Sequence, residues 1–287
     1  MKGIITAAGK GSRLEPISIS CNKQLLPIYD KPMIYYPLTT LIEGGIQDIL
    51  IVMAPQDSEP FERLLKDGSQ WGISISYAVQ SVPRGIAEVL MIAKNFLNDD
   101  SLCLILGDNI FYSESLQQVI QVAKELHGGA RIFGCLVNDP RRFGVVEFDT
   151  AGRVLGIEEK PDCPKSDYAV PGLYFYDKQA VTFAEQLQPS DRGELEITDV
   201  NRMYLSCGQL QVEILGADTV WMDTGSSEAL LEAAIFVQQV QERQQTLFGS
   251  PETAAYLQGF ITYEQLQCLG KQMEKTAYGQ VLLAMAK

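Results

Sequence analysis

Lys2-Gly3-Ile4-Ile5-Thr6-Ala7-Ala8-Gly9-Lys10-Gly11-Ser12-Arg13-Leu14-Glu15-Pro16 opens the chain, and Asn22-Lys23-Gln24-Leu25-Leu26-Pro27 follows close behind. An apolar run that breaks into small residues and glycines predicts a buried strand releasing a loop. The bare backbone of such a loop can approach an anion, because glycine tolerates positive φ and has no Cβ to hold a ligand away. The spacing excludes two familiar cradles. Gly9-x-Gly11 begins like a dinucleotide fingerprint, but Leu14 stands where the third glycine belongs and Pro16 falls where a helix should already be running. No Gly-Lys-Ser/Thr closes a P-loop. Arg13 and Lys23 instead supply two cations ten residues apart, which suits a loop wrapping a triphosphate. Taken alone, Gly9-x-Gly11 reads equally well as a plain glycine turn with solvated charges.

Composition narrows the chemistry. The 287 residues can bury a full core, and a hydrophobic content of 46% with mean hydropathy near zero fits a globular chain. A formal charge of −13 argues against a nucleic-acid binder, which needs a basic face. Phosphate would have to be bound by a few placed cations, together with a divalent metal. The six cysteines form no C-x-x-C pair and several lie in apolar runs, so they are expected to be core thiols in a reducing compartment. The first residues are too short of apolar length for a signal segment, and no run approaches the ~18 apolar residues of a membrane span, so a cytoplasmic location is expected. The single histidine, His127, beside Gly128-Gly129, is expected at a solvated helix end. With one histidine, His-based triads and HExxH zinc sites are excluded, leaving carboxylates, Lys, Arg and metal.

Along the chain, Asp30-Lys31-Pro32 predicts an N-cap and a first-turn proline opening a helix that runs to Gly44-Gly45. Residues 48–53 form a continuous apolar run, as in a strand buried on both faces. Helix near 57–66, strand 74–79, helix 85–97, strand 102–106, helix 115–126 and strand 131–137 continue the alternation, which implies a parallel sheet with crossovers. The fold expected is α/β, a Rossmann-like and predominantly parallel sheet flanked by helices. After Pro140 the texture changes to a β-hairpin over 143–159 and an aromatic-rich strand over 168–176, then helices near 178–187 and 196–207 and strands near 209–215 and 218–221. This half reads as an inserted β-rich lid over the ligand edge. Beyond residue 225 the pattern is helical, with new starts at Ser250-Pro251-Glu252 and Thr262-Tyr263-Glu264-Gln265. The division expected is one domain over 1–249, split into halves 1–137 and 138–225, and a helical extension over 250–287 for packing or assembly.

In such sheets ligands sit at the carboxyl ends of strands. Three pieces fall there: the loop 9–13, Gln80, and Asp108 in Leu106-Gly107-Asp108-Asn109. A strand-end carboxylate beside a triphosphate suits Mg²⁺, although an Asp in that place also serves as a plain helix cap. Trp221-Met222-Asp223-Thr224-Gly225 offers a second such carboxylate. Glu158-Glu159-Lys160-Pro161 fixes a lysine where the proline stops a strand, and Arg192-Gly193-Glu194-Leu195-Glu196 offers a further cation; a solvated strand end and a capped helix start are their bland readings.

Together with Lys23-Gln24-Leu25-Leu26-Pro27-Ile28-Tyr29-Asp30-Lys31-Pro32, these motifs resemble the sugar nucleotidyltransferases, on the thymidylyltransferase side of that family, in register from about residue 2 to 280. The resemblance implies a Mg²⁺-dependent transfer from dTTP to glucose 1-phosphate, giving dTDP-glucose and pyrophosphate, in a homotetramer. It implies a nucleotide-binding set of Ala8, Gly9, Gly11, Ser12, Arg13, Lys23, Gln80, Gly85 and Asp108. For the sugar phosphate it implies Asn109, Phe143, Gly144, Glu159, Lys160, Val170 and Arg192. Arg13, Lys23 and Lys160 would be the catalytic cations, and Asp108 with Asp223 the metal ligands. The 1–137 half would take the nucleotide and the 138–225 half the sugar phosphate. Because an attacking phosphate is already anionic, no general base is required.

Departures from the family pattern bear on selectivity. The usual Pro-Asp-Gly-Leu-Ala-Gln is Pro83-Arg84-Gly85-Ile86-Ala87-Glu88, reversing one charge and adding another beside the base site. Tyr-Gly is Phe143-Gly144 and Val-Thr-Gly is Val170-Pro171-Gly172, each losing a polar group in the sugar pocket. Phe111-Tyr112-Ser113-Glu114 lacks the Gly-His common near the family's regulatory site. A different NTP, a different sugar or cyclitol 1-phosphate, or a non-catalytic nucleotide-sugar-binding role stand as alternatives.

Overall fold

The structure, a computed structural model, describes residues 1–113, 115–125 and 128–285. Glu114 and His127, with the helix-end role expected for the histidine, lie outside the described residues. From the N-terminus, β1 (Lys2–Ala7) is followed by a short hairpin, β2 (Pro27–Ile28) and β3 (Lys31–Pro32), and then by β4 (Asp48–Met53), β5 (Ser74–Val79) and β6 (Leu102–Leu106). Helices Tyr35–Glu43, Ser58–Leu65 and Glu88–Ile92 connect them. β7 (Asn109–Tyr112) leaves the end of β6, and β8 (Ala130–Leu136) follows helix Leu116–Lys124. After Pro140 come β9 (Gly144–Phe148), β10 (Val154–Glu159), β11 (Tyr168–Val170) and β12 (Leu173–Tyr176). Helices Gln179–Gln186 and Ile197–Ser206 lead to β13 (Leu210–Ile214) and β14 (Val220–Asp223).

Ten strands form one sheet in the order β10-β9-β11-β8-β12-β6-β1-β4-β5, with β13 alongside β8. Its β6-β1-β4-β5 portion is parallel, and β1 is central, with Ile4 between Leu50 and Leu104 and Ile5 between Ile51 and Ile105. Successive side chains of a strand point to opposite faces. Ile4, Leu50 and Leu104 accordingly enter one buried cluster with Leu90, Val200 and Tyr204, while Ile5, Ile51 and Ile105 enter another with Leu38, Phe61 and Trp71. Both faces are covered, which is why these strands read as unbroken apolar runs. Truncating a residue such as Ile5 to Ala would cost about 2–5 kcal/mol.

Four expectations are corrected. The helix opens at Tyr35, not at Lys31-Pro32, which pairs with Pro27-Ile28 instead. Lys31 is nearly inaccessible: its Nζ donates to Asp30 and Gln241 and lies 5.2 Å from the Tyr36 ring, a placement no solvent-facing first turn would give. The helix expected over 85–97 is two short pieces, Glu88–Ile92 and Lys94–Leu97, meeting at Ala93. The strand expected over 168–176 divides at Pro171-Gly172. β11 pairs with β8 and β9, whereas β12 crosses into the main sheet between β6 and β8, antiparallel to both, so the inserted half is continuous with the central sheet. Of the cysteines only Cys103 is fully buried; Cys21, Cys163, Cys207 and Cys268 are exposed, and the first three of these have polar or small neighbours rather than an apolar run.

Both helix starts proposed for the tail are present: Ser250 Oγ accepts from Thr253 N, and Thr262 forms a reciprocal capping box with Gln265. Ala254, Ala255, Ile261, Leu266, Tyr278 and Leu282 join the cluster that holds Ile5. Tyr278 Oη donates to Glu252, which stays buried beside Lys31. The tail is thereby tied to the hairpin just beyond the loop that follows β1. Among the described residues no helix is long and apolar enough to cross a membrane.

One carboxyl in this packing is expected to show in the pH dependence of stability. Burial pushes Glu43 from its ordinary 4.5 up to about 7. Between those values the folded state binds more protons than the unfolded, so this group's contribution is fully present below pH 4.5 and is lost as pH rises through 7. Glu43→Gln should match the parent near pH 4.5 and exceed its stability by up to about 3 kcal/mol at pH 8, as read from urea unfolding at the two pH values.

Candidate active site

The turn Gly107-Asp108 lies where β6 ends, and β7 starts directly after it. β14 pairs with β7 antiparallel, with Asp223 opposite Asn109, and this register carries Asp223 to the side of Asp108. Immediately beyond, Thr224 fastens the two ends: its N donates to Asp108 O at 3.0 Å and its Oγ1 to the same oxygen at 2.8 Å. Asn109 is buried and committed to the scaffold. Its Nδ2 donates to Asp108 Oδ1 at 3.0 Å, while its Oδ1 accepts from Trp221 Nε1 at 2.6 Å and Gly172 N at 3.1 Å.

The loop after β1 meets this pair of carboxylates. Gly11 turns the loop at φ +65°, Ser12–Leu14 makes a short 3-10 turn, and Asn22 accepts from Gln24 N to start the turn carrying Lys23. Lys23 Nζ is bonded to Asp108 Oδ2, and Arg142 Nη2 stands 3.7 Å from Asp223 Oδ2. Burial alone would raise the Asp108 carboxyl, but the Lys23 charge and the Lys23 and Asn109 hydrogen bonds hold it below the usual range. Asp223 moves the other way: burial, then the Asp108 charge, pushes it up, and Lys23, Arg13 and Arg142 offset this only in part. Two neighbouring carboxylates whose repulsion is incompletely relieved fit a divalent cation. Among the described residues no group of three or more metal-ligating side chains occurs, so the protein's share is these two carboxylates, which suits Mg²⁺ completed by phosphate oxygens and water.

Asp108 lies at the seam of two cavities. The larger, about 710 Å³, is lined by Ser12, Arg13, Asp108, Asn109, Phe143, Gly144, Glu159, Lys160, Val170, Arg192 and Asp223. The smaller, about 210 Å³, is lined by Ala8, Gly9, Lys23, Gln80, Gly85 and Asp108. Every site residue expected from the sequence except Gly11 lines one of the two, and Gly11 acts through its backbone angle.

On the larger side, Lys160 takes a left-handed φ of +43° while its N donates to Phe143 O, joining the two hairpin ends. Glu159 accepts from Thr198 Oγ1 at 2.5 Å, and Arg192 is held by Glu159, Glu194 and Glu196. A Cβ on Gly144 would meet Thr198 Oγ1 at 3.0 Å and Glu159 Oε2 at 3.5 Å, so a side chain here would press on the Thr198 hydroxyl that orients Glu159. The Phe143 and Trp221 rings meet at 4.8 Å, tilted by 59°. On the smaller side Gly85, at φ +108°, brings its backbone against that of Leu195. Arg84 O accepts from Leu195 N at 2.7 Å, and Leu195 O from Ala87 N at 3.1 Å.

Residues not singled out from the sequence also line the site. Arg142 faces Asp223, and Thr198 orients Glu159. Gln24, next to Lys23, lines the smaller cavity and has a buried Oε1 without a partner, a polar atom that calls for a ligand or water. Glu194 lines both cavities. Each lies inside or beside a motif quoted above, so adjacency was the available signal.

Comparison with known proteins agrees with this geometry. The family model described as nucleotidyl transferase matches residues 2–240. The glucose-1-phosphate thymidylyltransferase of Neisseria gonorrhoeae is 54% identical over 283 residues, 99% of this chain and 98% of that one. The enzyme of the same name from Xanthomonas campestris is 50% identical over 286 residues, 100% of this chain and 97% of that one. The solved structure of a Bacillus anthracis relative in complex with a sucrose superposes with a TM-score of 0.77 at 39% identity, over 82% of this chain and 94% of that one. With a two-cavity cleft centred on strand-end aspartates and a match running nearly end to end, the chain belongs to the nucleotidyl transferase family.

Proposed function

We propose that the enzyme transfers a thymidylyl group from dTTP to glucose 1-phosphate, releasing pyrophosphate, with Mg²⁺ as cofactor. The observation that carries this reading is the seam: Asp108 stands between a small pocket beside the loop after β1 and a larger one walled by the second half of the chain, with Asp223 on the wall of the larger. Such a cleft holds two polyanions end to end. The relatives' names supply the substrate pair.

In this reading residues 1–137 take the nucleotide, 138–225 the sugar phosphate, and 250–287 serve packing or assembly, including the tetramer expected from the family. Gln80 and Gly85 receive the base, while the backbone of residues 8–12, Arg13 and Lys23 cradle the triphosphate. Gly144, Glu159 and Val170 enclose the sugar, and Lys160 and Arg192 face its phosphate. A phosphate oxygen of the sugar 1-phosphate attacks the α-phosphorus as the bond to the bridging oxygen of the β-phosphate breaks, and the electron pair leaves with pyrophosphate. That nucleophile is ionised at neutral pH, so the residues need only position and neutralise. Asp108 and Asp223 would hold Mg²⁺, which when bound offsets phosphate charge. Measuring pyrophosphate release with dTTP and glucose 1-phosphate tests the reading, and a panel of NTPs with sugar and cyclitol 1-phosphates giving none overturns it.

Two sets of variants separate the roles. Asp223→Asn removes a carboxylate disfavoured by burial and by Asp108, so turnover should fall roughly a hundredfold while thermal stability without metal holds or rises. Gly144→Ala, which crowds Thr198 and Glu159, and Lys160→Ala should each raise KM for the sugar phosphate about tenfold or more, with KM for the nucleotide little changed in steady-state assays.

A further inference from the structure

The two residues that depart from the family pattern beside the base pocket, Arg84 and Glu88, are bonded to one another. Glu88 is 6% exposed at the start of its helix. Its Oε1 accepts from Arg84 Nε at 2.9 Å and Nη2 at 2.5 Å, and its Oε2 accepts from Arg84 N at 3.3 Å. The reversed charge at 84 and the added charge at 88 therefore cancel in a charge-assisted pair, with two guanidinium N–H groups on one carboxylate oxygen and the Arg84 backbone N–H on the other. Burial works against a charged Glu88, yet the Arg84 and Gln80 hydrogen bonds keep its carboxyl below the usual range.

The remaining partner of this carboxylate is Gln80. Gln80 Nε2 donates to Glu88 Oε2 at 2.7 Å and to Gly85 O at 3.2 Å. A side-chain amide normally leaves its oxygen and nitrogen interchangeable, and the network decides which way it points. Here the network admits one answer, because an ionised carboxylate and a backbone carbonyl can only accept. Both Gln80 N–H donors are thus spent on the protein, and Oε1 is the polar atom left in a residue that lines the smaller cavity. Gln80 is itself buried, and its backbone N donates to Met53 O at 2.9 Å, which fixes the strand end from which the side chain projects.

We propose that Glu88, clamped by Arg84, is a positioning residue that locks the Gln80 amide with its carbonyl toward the base, so that the pocket selects a pyrimidine carrying a ring N–H. Thymine and uracil offer a donor at N3; cytosine has a bare ring nitrogen there and would set two acceptors against each other. A buried acceptor facing an acceptor is left unpaired, which is how polar pockets reject the wrong group. A glutamine at 88 could present either its oxygen or its nitrogen to Gln80 and would permit the flip.

The inference rests on the proposed placement of the nucleotide base, and equilibrium binding tests it without requiring turnover. Calorimetric titration of the full-length protein with dTTP and dCTP should give a ratio of Kd values of at least about a hundredfold in favour of dTTP. Glu88→Gln should narrow that ratio to about tenfold or less. Arg84→Ala, which removes a side chain 65% exposed and so leaves the core intact, should narrow it about threefold or more. A purely structural role for Glu88 would weaken binding of both nucleotides together and leave the ratio unchanged. An unchanged ratio in Glu88→Gln, or in Arg84→Ala should the former not fold, overturns the proposal, as does equal binding of the two nucleotides by the parent protein. Absence of pyrophosphate release with an intact binding ratio would overturn the proposed reaction alone.

Discussion

The site depends on one short two-stranded ribbon. β7 and β14 are far apart in the chain and pair outside the main sheet, yet their register sets Asp223 beside Asn109 and hence beside Asp108. Thr224 then makes two hydrogen bonds to the Asp108 carbonyl, so the turn after β6 and the end of β14 are one rigid piece. Strand ends of a buried parallel sheet are the stiffest places from which to project a carboxylate, and bringing a second one beside it costs electrostatic repulsion that the fold must absorb. It does so with Arg13 and Lys23 from the loop after β1 and Arg142 from the turn before β9.

Much of the frame was legible in the sequence because it is set locally. Residues 48–53 and 102–106 read as doubly buried strands, and the structure finds both faces covered. Ser250 and Thr262 announce helix starts through short-range capping chemistry, and both caps form. The phosphate loop and Asp108 were visible as breaks at strand ends. What stayed hidden is tertiary. Lys31 and Pro32 have the local signature of a helix start, but a buried place between Tyr36 and Tyr278 outcompetes it. The strand over 168–176 has no internal signal that its two halves join different neighbours apart from Pro171-Gly172. Arg142 and Gln24 sit among motif residues with nothing local to say that they face the cleft.

The departures at 84 and 88 show the same limit from another direction. Read singly, a reversed charge and a new charge beside a base pocket look disruptive. Read in the fold, they are four residues apart at a helix start, neutralise one another, and leave the pocket wall uncharged on its inner side. A pair of substitutions whose charges cancel can preserve a pocket's polarity while changing how firmly that polarity is held.

The larger electrostatic problem is that a chain of formal charge −13 must admit two polyanions. Four cations of the cleft already have carboxylate partners: Lys23 has Asp108, Arg142 has Asp223, Lys160 has Glu159, and Arg192 has Glu159, Glu194 and Glu196. These ion pairs bring the cleft close to neutrality and hold its side chains in place, which lowers the ordering cost of binding. A phosphate that enters exchanges with a carboxylate for the same cation. On the proposed reading the displaced carboxylates at the seam, Asp108 and Asp223, are the two that would hold Mg²⁺, so loss of the internal ion pairs and gain of the metal occur at the same atoms. Nucleotide and metal affinity are then linked through shared partners. Binding of either one must then change the affinity for the other by the same factor when both are measured at equilibrium.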